Sequence, residues 1–271
     1  MKPLLVAVIL LLVAGCGGGG GSRPDPIPQP PVAKRTDVLL GYYWGNAAAA
    51  SETADHANLY WATFGYGEPA QVEGIRAAKA AGQRVVLMLW HGMTEEQVSA
   101  FLERLKNLDL LGPVAALYYF DEPDLMDLQE SFVVEASAML RRSLARFPEM
   151  KDTKLAVFYA CKSGMRPGLH TFDWVGCDDY DSGCGVLGQA TASLRGAMTL
   201  TQRLMIIPGG GSPWRQDPAC FEDYAHANPV VVAVVPFLWQ SVEDRGNTYQ
   251  GIKENGMADA YRAAGKRLTG R

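Results

Sequence analysis

The chain has 271 residues, with 25 Lys+Arg against 29 Asp+Glu and a formal charge of −4. A single α/β barrel takes about 250 residues, so this length suits one large domain or two small ones. At 48% hydrophobic and 20% charged residues, the composition can build a core and excludes a mainly disordered or collagen-like chain. The mild acidity and the lack of a Lys/Arg run argue against nucleic acid as the main partner.

The first element is an address. Lys2 supplies a positive start, and Leu4 to Val13 is an uninterrupted apolar run. A membrane-spanning helix needs about 20 apolar residues, so this run suits the apolar part of a signal peptide instead. It ends in Val13-Ala14-Gly15-Cys16, which resembles the lipobox of bacterial lipoproteins, where cleavage precedes the cysteine and its thiol is lipidated. Gly17 to Gly21, Ser22 and then Pro24, Pro26, Pro28, Pro30 and Pro31 follow. Flexible glycine passing into extended proline makes a tether. Residues 1–15 therefore read as signal peptide and 16–35 as lipidated cysteine and tether. With Gly17 rather than Asp after Cys16, the resemblance implies the outer membrane. The domain would then face the periplasm or the cell surface of a bacterial envelope.

From residue 36 short apolar runs alternate with amphipathic stretches. The runs are Val38–Trp44, Ala57–Tyr66, Arg84–Trp90, Val114–Phe120, Lys154–Ala160, Phe172–Cys177, Gln202–Pro208 and Pro229–Trp239. Near-continuous apolar character, rich in β-branched and aromatic residues, suits parallel strands buried on both faces. Between them, Pro69–Ala81 predicts a helix ending at Gly82. Thr94 opens a capping box with Gln97, and Val98, Phe101, Leu102 and Leu105 continue at helical spacing. Asp124–Phe147, stopped at Pro148, predicts the longest helix. Leu187–Leu200, Asp217–Ala227 and Tyr249–Leu268 follow. Lys162–Thr171, with Gly164, Pro167 and Gly168, shows no helix.

Eight strands with helices between them predict an α/β fold, a single (β/α)8 TIM barrel over residues 36–271. A doubly wound open sheet is the alternative, but its Gly-rich phosphate fingerprint is absent. Gly209-Gly210-Gly211 reads as a loop needing unusual backbone angles. Cys161, Cys177, Cys184 and Cys220 are disulfide candidates in an exported chain. Cys161–Cys177 with Cys184–Cys220 would link neighbouring strand ends, and Cys177–Cys184 would pinch one loop; spacing does not choose. No metal and no cofactor is expected, since there is no CxxC pair and His56, His91, His170 and His226 are scattered.

A barrel carries its chemistry at the C-terminal strand ends. Those ends hold Tyr42-Tyr43-Trp44, Tyr66, Trp90-His91, Asp121-Glu122-Pro123, Lys162, Asp178-Asp179-Tyr180-Asp181, Trp214 and Trp239-Gln240. Indole packs its face against the C–H face of a sugar ring, so Tyr43, Trp44, Trp90, His91, Trp214, Trp239 and Gln240 are candidate carbohydrate-binding residues. The most specific signal is Tyr118-Tyr119-Phe120-Asp121-Glu122-Pro123. An apolar strand running into two carboxylates should open on a wet cleft, because isolated buried charge is costly. Adjacent carboxylates repel, which tends to raise one pKa, and glycoside hydrolysis needs a protonated acid. The same residues would also complement the dipole of a following helix.

Tyr-Phe-Asp-Glu-Pro at the fourth strand, Asp-Tyr-Asp near the sixth and Trp at the eighth resemble the glycoside hydrolase TIM-barrel superfamily. The resemblance covers most of residues 36–265 as a fold pattern. It implies Glu122 as general acid. Commoner relatives place a second Glu at the seventh strand, where this chain has Ile206-Ile207-Pro208-Gly209-Gly210-Gly211. An adjacent Asp-Glu pair is similar to substrate-assisted N-acetylhexosaminidases. That similarity implies Asp121 orienting an acetamido group, Tyr180 bonding the developing ring and Trp239 as its floor. Inversion stays open, with Asp179 or Asp181 as base; Glu243 and Asp244 are further candidates. The expected partners are a carbohydrate and, through Cys16, a membrane, with a monomeric chain. A non-catalytic glycan-binding lipoprotein on a degenerate barrel is the alternative, and an envelope scaffold a third. A Ser-His-Asp hydrolase is disfavoured, since there is no GxSxG motif.

Overall fold

A computed structural model of the chain describes residues 34–160, 164–180, 184–244 and 246–271. The proposed signal peptide, Cys16 and nearly all of the tether therefore lie outside the described residues, as do Cys161, Lys162 and Asp181. The side chains of Tyr66, Asp179, Cys184 and Asp244 are likewise not described.

Eight parallel strands form a nearly closed barrel: β1 (Leu39–Leu40), β2 (Leu59–Ala62), β3 (Arg84–Met88), β4 (Val114–Asp121), β5 (Lys154–Ala160), β6 (Trp174–Asp179), β7 (Arg203–Pro208) and β8 (Val231–Val234). Each strand pairs in parallel with its chain neighbours from β2 to β8, and β8 pairs with β1. The β1–β2 seam is closed by other means. Asn58 N–H donates to the Leu40 carbonyl at 3.1 Å, the Asn58 side-chain oxygen accepts from Leu40 N–H at 2.8 Å, and Gly45 bridges Ala62. A side chain at Gly41 would meet the Leu59 carbonyl at 2.7 Å, so glycine allows the two backbones to approach.

Seven helices are described: α1 (Ala47–Glu52), α2 (Glu68–Ala80), α3 (Glu95–Asn107), α4 (Glu130–Ala145), α5 (Cys184–Ala197), α6 (Pro218–Ala227) and α7 (Ala258–Thr269). The Thr94–Gln97 capping box forms in both directions, and Gly82 takes φ +65 just after α2. Among its described residues the β5–β6 connection holds a single 3-10 turn, Leu169–Thr171.

Two predicted helices are corrected. The chain between Asp124 and Gln129 is a turned loop, and α4 starts only at Glu130. Asp124 is held by the Ala160 N–H at 3.1 Å and Asp127 takes φ +53, which together break the helical path. The helix expected from Tyr249 starts only at Ala258, and Tyr249 instead ends β10 (Asn247–Tyr249), which pairs antiparallel with β9 (Val242–Asp244). There Gly251 lies against the Gln240 backbone, where a Cβ would meet carbon at 2.4 Å.

The core has two layers. An outer layer packs strands against helices through residues such as Val85, Leu117, Val157, Val175 and Leu204. An inner layer fills the lumen with Trp61, Val86, Tyr118, Phe158, Met205 and Ile207. Trp61 and Phe158 stack with centroids 4.9 Å apart. The alternation of strand side chains produces this division.

Candidate active site

The site is built on a bulge in β4. Leu117 pairs with Leu155 and Tyr118 with Ala156, but Phe120 then pairs with Val157 and Asp121 with Phe158. One extra residue is absorbed, so Tyr119 and Phe120 both join the outer layer. A bulge re-aims everything beyond it. Strict alternation from the inward Ala116 and Tyr118 would turn Phe120 and Glu122 inward. The bulge turns Asp121 inward instead, opposite the inward Phe158. Glu122 follows with φ +48, its N–H donating to the Phe158 carbonyl at 3.1 Å. A left-handed conformation costs an L-residue about 1–2 kcal/mol, and such residues cluster at functional sites.

Asp121 is fastened by two phenols. Tyr43 Oη donates to Oδ2 at 2.8 Å, and Tyr118 Oη donates to Oδ1 at 2.5 Å. Burial raises the Asp121 pKa above the ordinary carboxyl range, while the two tyrosine bonds pull it back. Asp178, on β6, stands near it. Tyr180 Oη donates to Asp178 Oδ2 at 2.7 Å, and Oδ1 is buried with no hydrogen-bond partner among the described residues. Burial pushes the Asp178 pKa well up, and the negative charges of Asp121 and Glu122 push it further. One carboxyl that resists ionisation therefore stands beside another tied to two donors. Burial also raises the pKa of Tyr43, Tyr118 and Tyr180 well above the usual phenol value, so all three remain donors.

Asp121 and Glu122 line a cleft of about 500 Å³ at the C-terminal mouth of β2 to β4. Trp44, Phe64, Trp90, His91, Leu125 and Met126 line it as well. Trp44, in the turn after β1, takes φ +60 and lines the cleft. Trp90 is 51% exposed and lies on His91 with centroids 4.6 Å apart. Chemically, the cleft offers carboxyl groups and apolar ring faces together.

Several predicted residues occupy other places. Tyr43 is buried below the cleft as an Asp121 donor. The Tyr180 hydroxyl is committed to Asp178, so it is not directed at a ligand ring. Trp239 does not form a floor: it is 2% exposed in the outer layer, beside Tyr42 and His56, and its Nε1 donates to Glu52 at 3.0 Å. Gln240 is part-buried after β8, where its backbone lies against Gly251. Trp214 stacks on Tyr249, with centroids 5.7 Å apart and planes 14° apart.

Trp214 also explains the first of the three glycines after β7, and Ile252 and Gln250 crowd the other two. None of Gly209, Gly210 and Gly211 has a positive φ, which corrects the expectation of unusual angles. They are glycine because of crowding. A Cβ on Gly209 would meet Trp214 Cβ at 2.5 Å and the Tyr180 carbonyl at 2.7 Å. Gly209 is the next inward position after Met205 and Ile207, where a seventh-strand carboxylate would stand, and that space is filled.

The sequence places Asp178 at a strand end and Tyr118 in the fourth-strand motif without giving either a role, and it does not single out Leu125 or Met126. Asp178 was findable, since it shares an inward face with Gly176 and Tyr180 at a spacing of two and pairs with the inward Ile207. The loop residues carried no such signal. Among the described residues no cluster of three His, Cys, Asp or Glu is placed to hold a metal.

No family model matches the sequence, and no curated protein matches it. Solved structures do. A glycoside hydrolase family 17 β-1,3-glucanosyltransferase from Rhizomucor miehei aligns at TM-score 0.57 and 12% identity, over 80% of this chain and 93% of that one. A family 128 endo-β-1,3-glucanase from Amycolatopsis mediterranei, in complex with laminaritriose, aligns at 0.53 and 16%, over 84% and 99%. A family 113 β-mannanase from Alicyclobacillus acidocaldarius aligns at 0.55 and 11%, over 86% and 98%. At these identities the likeness is one of fold: the chain shares its barrel with glycoside hydrolases.

Proposed function

We propose that the domain is a glycoside hydrolase acting on a polysaccharide or glycoconjugate, with Glu122 as the general acid. One observation carries this reading. Asp121 and Glu122 share an open cleft with the indoles of Trp44 and Trp90, at the barrel end where such folds carry chemistry. Glu122 would protonate the departing glycosidic oxygen. Asp121, with both oxygens bonded to phenols, is a poor nucleophile and a good fixed acceptor for orienting substrate. Asp178, whose pKa is pushed up by burial, would resist placing a further negative charge beside Asp121. With Gly209 at the seventh strand, the second reactant is a water activated by Asp179 or Asp181, or the substrate's own acetamido group.

The test is Glu122→Gln against wild type on aryl glycosides, β-1,3-glucan, β-mannan and bacterial polysaccharides. Turnover should fall about 100- to 10,000-fold. Equal turnover would remove Glu122 from the mechanism.

The crowding at Gly209 favours a second reading, a non-catalytic glycan binder. Binding without turnover across the same panel would support it. We further propose a lipid anchor at Cys16, which predicts that palmitate label enters the wild-type chain and not Cys16→Ser. The domain would act as a monomer at the outer membrane. The four cysteines after the tether, Cys161, Cys177, Cys184 and Cys220, would form two disulfides.

A further inference from the structure

A second concavity of about 610 Å³ lies outside the cleft, between the mouth of β3 and helix α3. Phe64 and Trp90 line both spaces, so the exposed indole of Trp90 is a ridge between them. The volume falls within the range of about 300–1,000 Å³ usual for ligand sites. Gly92 keeps one indole edge clear, since a Cβ there would meet Trp90 Nε1 at 3.0 Å. The far wall is helical. Ala100 is exposed on it, and Phe101 adds an apolar face.

The polar groups of this groove define the ligand. Arg104 is already paired with Glu68, so neither offers an uncompensated charge. Gln97 uses its side-chain oxygen to accept from the Thr94 N–H at 2.8 Å, which leaves its amide N–H groups to donate into the groove. Ring faces, an amide and a neutralised ion pair suit the C–H faces and hydroxyls of an uncharged sugar. They do not suit a uronic acid, whose carboxylate would find Arg104 occupied.

We propose that this groove is an outer subsite for an uncharged glycan chain that continues from the cleft across Trp90. The proposal rests on the hydrolase reading and deepens it, because a chain passing beyond the ridge is engaged along its length and not only at its end.

The test is titration calorimetry on the full chain carrying Glu122→Gln, with disaccharides and hexasaccharides of the β-1,3-glucan, β-1,4-glucan and β-1,4-mannan series. At least one hexasaccharide should bind about tenfold tighter than its disaccharide. Ala100→Trp fills the groove from an exposed helical position and does not touch the cleft. It should erase that advantage and leave disaccharide affinity unchanged. Trp90→Ala, at a half-exposed position, is the second variant and should reduce the advantage. An advantage that survives both substitutions overturns the subsite, and so does the failure of every hexasaccharide to bind. Tighter binding of an alginate hexasaccharide than of the neutral ones overturns the chemical class. A groove-dependent advantage in a wild-type chain that cleaves none of these saccharides sinks the hydrolase reading and leaves the subsite standing.

Discussion

The two halves of the barrel mouth differ in how they use the same kinds of residue. On the side of β1 to β6, β4 and β6 end in carboxyl groups, and aromatic side chains there bond them, as Tyr43, Tyr118 and Tyr180 do, or stand open to the cleft, as Trp90 does. Over β7 and β8 the aromatics pack on one another. Trp214, Phe237 and Tyr249 form one cluster above Gly209, and Trp239 is sunk behind β8. An indole at a strand end is therefore not evidence of a ligand site by itself. What separates the halves is whether open space adjoins the ring and whether a carboxyl group faces that space.

Four substitutions would break or sharpen this contrast. Glu122→Gln has the largest expected effect, because it removes the only proton the cleft is proposed to donate; its fall of about 100- to 10,000-fold in kcat belongs to the first half alone. Trp239→Ala should cost about 3–5 kcal/mol in urea unfolding, as a buried indole does, and leave saccharide affinity of the folded protein unchanged. Lost affinity at full stability would return Trp239 to the binding surface. Gly209→Ala should destabilise by about 1–3 kcal/mol through overpacking against Trp214. A neutral result would mean that the second half has room for a carboxylate after all.

Asp178→Asn is the smallest and the most diagnostic. The folded pKa of Asp178 lies well above that of the unfolded chain. Below the unfolded value the group is protonated in both states and adds no penalty. As pH rises from there towards the folded value, ionisation favours the unfolded state and stability falls. Asparagine cannot ionise, so the variant should lose less stability between pH 5 and 8 and gain about 1–2 kcal/mol at the upper end. The readout is Tm against pH. Parallel curves for the two proteins would mean that Asp178 ionises normally.

Much of the scaffold was legible residue by residue. Lys154–Ala160 is β5 to the residue, the Thr94 box caps α3, and the Pro167-Gly168 stretch forms no α-helix. These features depend on local rules: period, cap and breaker. The misread elements were decided at a distance. Asp124 and Tyr249 sit in sequences compatible with helix, and each was drawn off by a partner elsewhere in the fold, the Ala160 N–H and the Trp214 ring. Tyr180 and Trp239 likewise carry polar groups that were free to serve a ligand until Asp178 and Glu52 took them.

The sequence alone determined that this chain is a parallel α/β barrel with its carboxylates after the fourth and sixth strands. Alternating apolar runs and helical periods are properties of neighbouring residues, and burial on both strand faces leaves few other architectures. Only the tertiary structure decided which carboxylate points inward. That choice turns on one bulged residue between Tyr118 and Phe120, set by pairing with β5, and a shift of one position exchanges Asp121 for Glu122. It also decided that the seventh strand ends in glycine because Trp214 and Tyr180 occupy the space, a crowding visible only when the loops after β6 and β7 meet.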